Sequence, residues 1–142
     1  MPPLIGLARD DEALAAYRAA IARGCDTPAL RSNVAVVLLR RGDLDGAEEH
    51  LRHALQWTDE PIWHANLGAV LFGRQKYEAA LSEFQEAVSS MPNDAAIRYN
   101  LGRAWLAVGN TDEAIIEFQH ALRIDPGYEK ARRELAKAQG LQ

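Results

Sequence analysis

Three asparagines, Asn33, Asn66 and Asn100, stand 33 and 34 residues apart in the sequence. A side-chain amide donates and accepts a hydrogen bond at once, which suits the backbone of an extended peptide. Asparagine is a mediocre helix former, so folding alone gives little reason to place it in a helix. The other way to use such an amide is as part of the scaffold, bonded to a neighbouring helix. Recognition is the reading that explains why glutamine or lysine is not there instead.

Other side chains that carry chemistry are sparse. His50 and His53, in "EEHLRHAL", are three apart and can offer two metal ligands from one helix. They fall opposite the apolar stripe of Leu51, Ala54 and Leu55, and no second cluster completes a four-ligand site, so a solvated surface is expected. Cys25 is the single cysteine, in "RGCDTP". It has no partner for a disulfide and no cationic cluster to stabilise a thiolate, which makes it an incidental thiol. "GDLDG" lacks the spaced ligands and terminal glutamate of a calcium loop. No phosphate-binding glycine loop or nucleophile motif is present. The sequence therefore predicts no catalytic residues, no metal site and no cofactor.

The elements that position the asparagines follow from a repeat. Ala47, Ala80 and Ala114 keep a step of 33 and 34, as do Leu51, Phe84 and Phe118, and Ala54, Ala87 and Ala121. Within the third unit, Ile97, Leu101, Ala104, Trp105 and Val108 form one helical stripe, and Ala114, Ile115, Phe118, Ala121 and Leu122 a second. Between them "VGNTDE" supplies a stop glycine and a capping Asn or Thr. In "CDTP", Thr27 is expected to cap a helix that has Pro28 in its first turn. Each unit thus reads as a pair of helices, and no segment alternates as a strand does. The expected organisation is an extension at 1–10, a half-unit at 11–27, units at 28–60, 61–94 and 95–128, and a capping helix at 129–139. Gly68, Gly102 and Ala35 are small where paired helices cross. Trp63, Trp105, Phe84 and Phe118 fill the gaps, and Trp57 is expected to staple one pair onto the next.

These features resemble the tetratricopeptide repeat, whose signature is Trp-x2-Leu-Gly-x2-Tyr, then Ala-x3-Phe, then Pro. The second unit has Trp63, Leu67, Gly68, Leu71, Ala80, Phe84, Ala87 and Pro92; the third has Ile97, Leu101, Gly102, Trp105, Ala114, Phe118, Ala121 and Pro126. The first is more diverged, with Val34-Ala35 for Leu-Gly. The resemblance implies an all-α, right-handed superhelical solenoid of antiparallel helix pairs, with the first helix of each pair on the concave side. Asn33, Asn66 and Asn100 would then form a ladder similar to that in the repeat domain of O-GlcNAc transferases. A carboxylate clamp of the chaperone-binding kind is not implied. Only Asn66 corresponds, while Ser32, Val36, Ala96 and Asn100 stand where other clamp residues are needed.

On that concave face, Phe72 and Tyr99 offer apolar contacts, and Arg103, Lys130, Arg133 and Lys137 make one end basic. Those cations either belong to a solvated capping helix or select a ligand that is acidic at one end. The expected function is non-catalytic binding of a partner protein's peptide segment. The alternative is a structural scaffold that self-associates, or the repeat segment of a larger enzyme or complex. Leu14, Tyr17 and Ile21 cannot all face the next pair, so either "PPLIGL" folds back over that edge or two molecules meet there.

Length and charge are consistent with this. The chain has 142 residues, 48% hydrophobic and 25% charged, with a formal net charge of -4, an ordinary globular balance that does not favour nucleic acid. No apolar run approaches the roughly 20 residues of a membrane span, and the N-terminus has no positive region of a signal peptide. A cytoplasmic location without membrane insertion is expected, provided the sequence is not a piece of a longer protein.

Overall fold

The computed structural model describes residues 4–140, with side chains from residue 9 onward. Within them the order is α1 (Leu4–Ala22), α2 (Pro28–Arg40), α3 (Leu44–Trp57), α4 (Pro61–Gly73), α5 (Tyr77–Ser90), α6 (Ala95–Ala107), α7 (Thr111–Ile124) and α8 (Glu129–Ala138). The helix starts are built from local chemistry. Thr27 Oγ1 accepts from the Leu30 amide, Asp43 Oδ1 from Gly46, Asp94 Oδ1 from Ile97 and Asn110 Oδ1 from Glu113. Each bond satisfies a backbone donor that has no partner within the helix. Asp43 of "GDLDG" is thus a cap.

Pairing follows the repeat. α2 packs on α3, α4 on α5 and α6 on α7, and α3–α4, α5–α6 and α7–α8 join successive pairs. The result is an all-α solenoid. Its core is the repeated frame: Ala47, Ala80, Ala114, Ala54, Ala87 and Ala121 are all at 0% exposure, and Leu51, Phe84 and Phe118 at 1%, 1% and 0%. The glycines explain how closely the pairs approach. A Cβ on Gly68 would lie 2.7 Å from the Phe84 ring, and one on Gly102 2.6 Å from Phe118. The second helix of the pair presses its aromatic ring against the bare backbone of the first.

Three expectations need correcting. α1 begins at Leu4, so residues 4–7 continue the helix instead of folding back over its edge; Pro2 and Pro3 lie outside the described residues. Trp57 is 73% exposed and staples nothing. It falls at the C-terminal end of α3, where the chain turns toward Pro61, and borders an open pocket with Asp26, Pro28 and His53. His50 and His53 are half-buried rather than solvated. The His50 ring meets Tyr17 edge-on with centroids 5.3 Å apart, since α1 lies over that part of α3.

Candidate functional site

The first helices of the pairs, α2, α4 and α6, lie side by side, and α8 faces α6 across a cleft. Asn33 is exposed on α2, and Asn66 and Asn100 are half-buried on α4 and α6. Among the described residues none of the three side-chain amides has a hydrogen-bond partner. The amides therefore do not tie neighbouring helices together.

Phe72, Arg103 and Tyr99 form one stack. The Arg103 guanidinium carbon sits 4.5 Å from the Phe72 ring centre and 5.7 Å from that of Tyr99. A cation over aromatic faces is attracted by their quadrupoles, and here the stack joins α4 to α6. Tyr99 continues it to Tyr128, edge-on with ring centres 5.4 Å apart. Tyr128 precedes α8 and makes no side-chain cap bond to it. Burial, with Tyr99 beside it, holds its phenol above the ordinary value, so it remains a neutral donor at physiological pH.

Beyond this stack a cleft of about 420 Å³ opens between α6 and α8. It is lined by Tyr99, Asn100 and Arg103 from α6, by Tyr128, and by Lys130, Arg133, Glu134 and Lys137 from α8. Six of the nine residues singled out in the sequence are therefore brought to one cleft. Phe72 joins it through Arg103, whereas Asn33 and Asn66 stand further along the groove and do not line it. Tyr128 and Glu134 were missed. Tyr128 had a readable signal: the repeat puts it in register with Thr27, Glu60 and Asp94, which all precede a first helix, and an aromatic there is out of pattern.

A second polar system runs through the interior of the pairs. At equivalent positions, Arg31 lies 3.5 Å from His50, His64 2.6 Å from Glu83, and Arg98 3.1 Å from Glu117. His64 is also 2.6 Å from Asp59. Burial lowers its pKa, but hydrogen bonds to Glu83 and Asp59 and their charges outweigh it, and the net shift is upward. His50 shifts the other way, through burial and then the charge of Arg31. These pairs bridge the two helices of a unit, so they are part of the scaffold. Among the described residues no group of three or more His, Cys, Asp or Glu side chains is placed to hold a metal ion.

A groove lined by the first helices of stacked pairs, with a period near 34 residues, defines a helical-repeat solenoid. The tetratricopeptide-repeat family profile matches residues 7–61 and 66–129, and the chain belongs to that family. It is 36% identical over 99 residues to the inactive TPR repeat-containing thioredoxin TTL3 of Arabidopsis thaliana, covering 70% of this chain and 14% of that protein. The crystal structure of MamA superposes with a TM-score of 0.86 at 20% identity, covering 99% of this chain and 85% of that one. The first TPR of Spaghetti (RPAP3), bound to the HSP90 peptide SRMEEVD, superposes at 0.78 and 19% identity, covering 80% and 91%. The chain spans 10% to 35% of the length of the curated relatives it matches. No helix among the described residues is long and apolar enough to cross a membrane.

Proposed function

We propose that the concave face binds an extended peptide segment of another protein, without catalysis. The observation that carries this reading is the row of Asn33, Asn66 and Asn100, whose amides the fold leaves unpaired on adjacent first helices. Asn66 and Asn100 hold the ligand backbone, Phe72 and Tyr99 take apolar side chains, and Arg103, Lys130, Arg133 and Lys137 receive an acidic end. That the same fold holds the peptide SRMEEVD in the Spaghetti (RPAP3) domain supports the choice of ligand class.

The test is a random-peptide selection against the 142-residue chain, with each selected peptide re-measured on Asn66→Ala. Loss of the amide leaves peptide groups unpaired at a cost of about 1–3 kcal/mol, or roughly 5- to 150-fold in affinity. Folding should barely change, since alanine is the better helix former. If Asn66→Ala unfolds the domain, or binds the peptides as well as the parent does, the asparagines belong to the scaffold.

A second reading, self-association through the N-terminal edge, is favoured by one observation. Ala13 is exposed and Ala20 and Tyr17 are half-buried at the frame positions that are closed in the three full units.

A further inference from the structure

We infer that the cleft between α6 and α8 takes a phosphorylated side chain of the bound peptide, a phosphomonoester held by Arg103, Lys130 and Arg133. The inference rests on the peptide-binding reading of the groove and names the group that its basic end selects.

Charge is the first argument. Seven arginines elsewhere in the solenoid are neutralised: Arg31 by Asp26, Arg40 by Asp10, Arg41 by Asp11, Arg52 and Arg74 by Glu48, Arg98 by Glu117 and Arg132 by Glu129, while Arg9, Arg18, Arg23 and Arg123 have no carboxylate within ion-pair distance among the described residues. The cleft differs in gathering its cations around one cavity. Among the described residues, Arg103, Lys130 and Arg133 have no carboxylate within ion-pair distance, and Lys137 reaches only Glu134, at 3.7 Å. Four cations and one carboxylate leave a local charge of +3 on a chain whose formal net charge is -4. Like charges gathered on one face repel, so folding does not ask for them. A ligand does.

The donors are also suited to a phosphate. Stacking on Phe72 and Tyr99 holds Arg103 by its faces and leaves its in-plane N–H groups for a bidentate contact, the geometry that matches phosphate oxygens. Lys130 and Arg133 add charge from α8, Asn100 adds a neutral donor from α6, and Tyr128 another from the start of α8. A single carboxylate would neutralise one of three charges. A phosphomonoester brings about -1.5 to -2 and three strong acceptor oxygens.

The experiment is an NMR titration of the 142-residue chain with three probes: capped phosphoserine (N-acetyl, C-amide), capped aspartate and inorganic phosphate. The readouts are the Tyr99 and Tyr128 ring signals and the Arg103 side-chain N–H. Capped phosphoserine is expected to move all three and to bind about tenfold tighter than capped aspartate. Inorganic phosphate should bind more weakly than capped phosphoserine, because it offers no peptide group to Asn100. Arg133→Glu and Lys130→Glu should each abolish the shifts while leaving the melting temperature unchanged or raised, which removal of a structural charge would not do. Arg133→Gln provides the same comparison without charge reversal.

Equal affinity for aspartate, inorganic phosphate binding as tightly as phosphoserine, or no shift in the cleft would each overturn the inference. The groove reading is separable. Selected peptides whose binding depends on Asn66 but ignores phosphorylation and Arg133→Glu would leave that reading standing and remove only the phosphate.

Discussion

Gly68 shows how much of this solenoid hangs on single side chains. Its missing Cβ is the space into which Phe84 packs, and Phe84 is itself 1% exposed with no room to retreat. Gly68→Ala should therefore destabilise the domain by about 1–3 kcal/mol through overpacking, despite alanine's better helix propensity. Urea unfolding would check it, and a neutral or stabilised variant would show that the ring can move aside. His64 carries a pH dependence. Its pKa is raised in the fold from the ordinary 6.5, so the charged form is favoured by folding. That contribution is fully present below pH 6.5 and is lost as the pH rises through the folded value. The stability gap between the parent and His64→Gln should accordingly be wider at pH 6 than at pH 8. His50 acts in the opposite sense, lowering stability as the pH falls below 6.5, so the single-site comparison is needed. The sequence showed His64 as an isolated histidine. Its two carboxylate partners, Asp59 and Glu83, come from a turn and from the next helix, and only the pairing of α4 with α5 brings them together.

At the scale of the element, the helices and their caps were readable because each is decided within a few residues. Thr27, Pro28 and Asn110 do in the structure what their types imply. The turns between paired helices hold one departure. Gly42 and Gly109 take φ of +82° and +90°, and the equivalent place in the middle unit is Gln75, at +63°. A side chain in the left-handed region costs roughly 1–2 kcal/mol that glycine avoids. Part of the gain is returned because glycine has more freedom in the unfolded chain. Gln75→Gly should still raise stability by about 0.5–1 kcal/mol, measurable as a shift in the urea midpoint at constant slope. A fall in the midpoint would mean that Gln75 makes a contact worth more than its strain.

For the whole molecule, stability is a sum of units and of the interfaces between neighbours. α1 packs mainly on α2, where Asp10 and Asp11 meet Arg40 and Arg41, and reaches α3 through Tyr17 and His50. The exposed Ala13 and the half-buried Tyr17 and Leu14 mark a face built like those that other helices cover. A second copy meeting that face would make the 142-residue chain self-associate with concentration. Deleting residues 1–8 shortens α1 and should shift the oligomer distribution, as sedimentation would show. A deletion variant that is monomeric at every concentration, like its parent, would set this face aside.

The sequence by itself determined the period, the helix pairs, the small residues at the crossings and the frame position shared by the three asparagines. All of these are local or periodic, and a helix buries whatever its 3.6-residue repeat puts on one side. Tertiary structure decided the rest. It placed Arg103 between Phe72 and Tyr99, brought Tyr128 and Glu134 to the basic cleft, left Trp57 bare, and drew α1 out to Leu4. Periodicity assigns a residue to a face. Whether two residues on neighbouring faces touch depends on how closely the helices approach, and that distance is decided by the packing of Phe84 on Gly68 and Phe118 on Gly102.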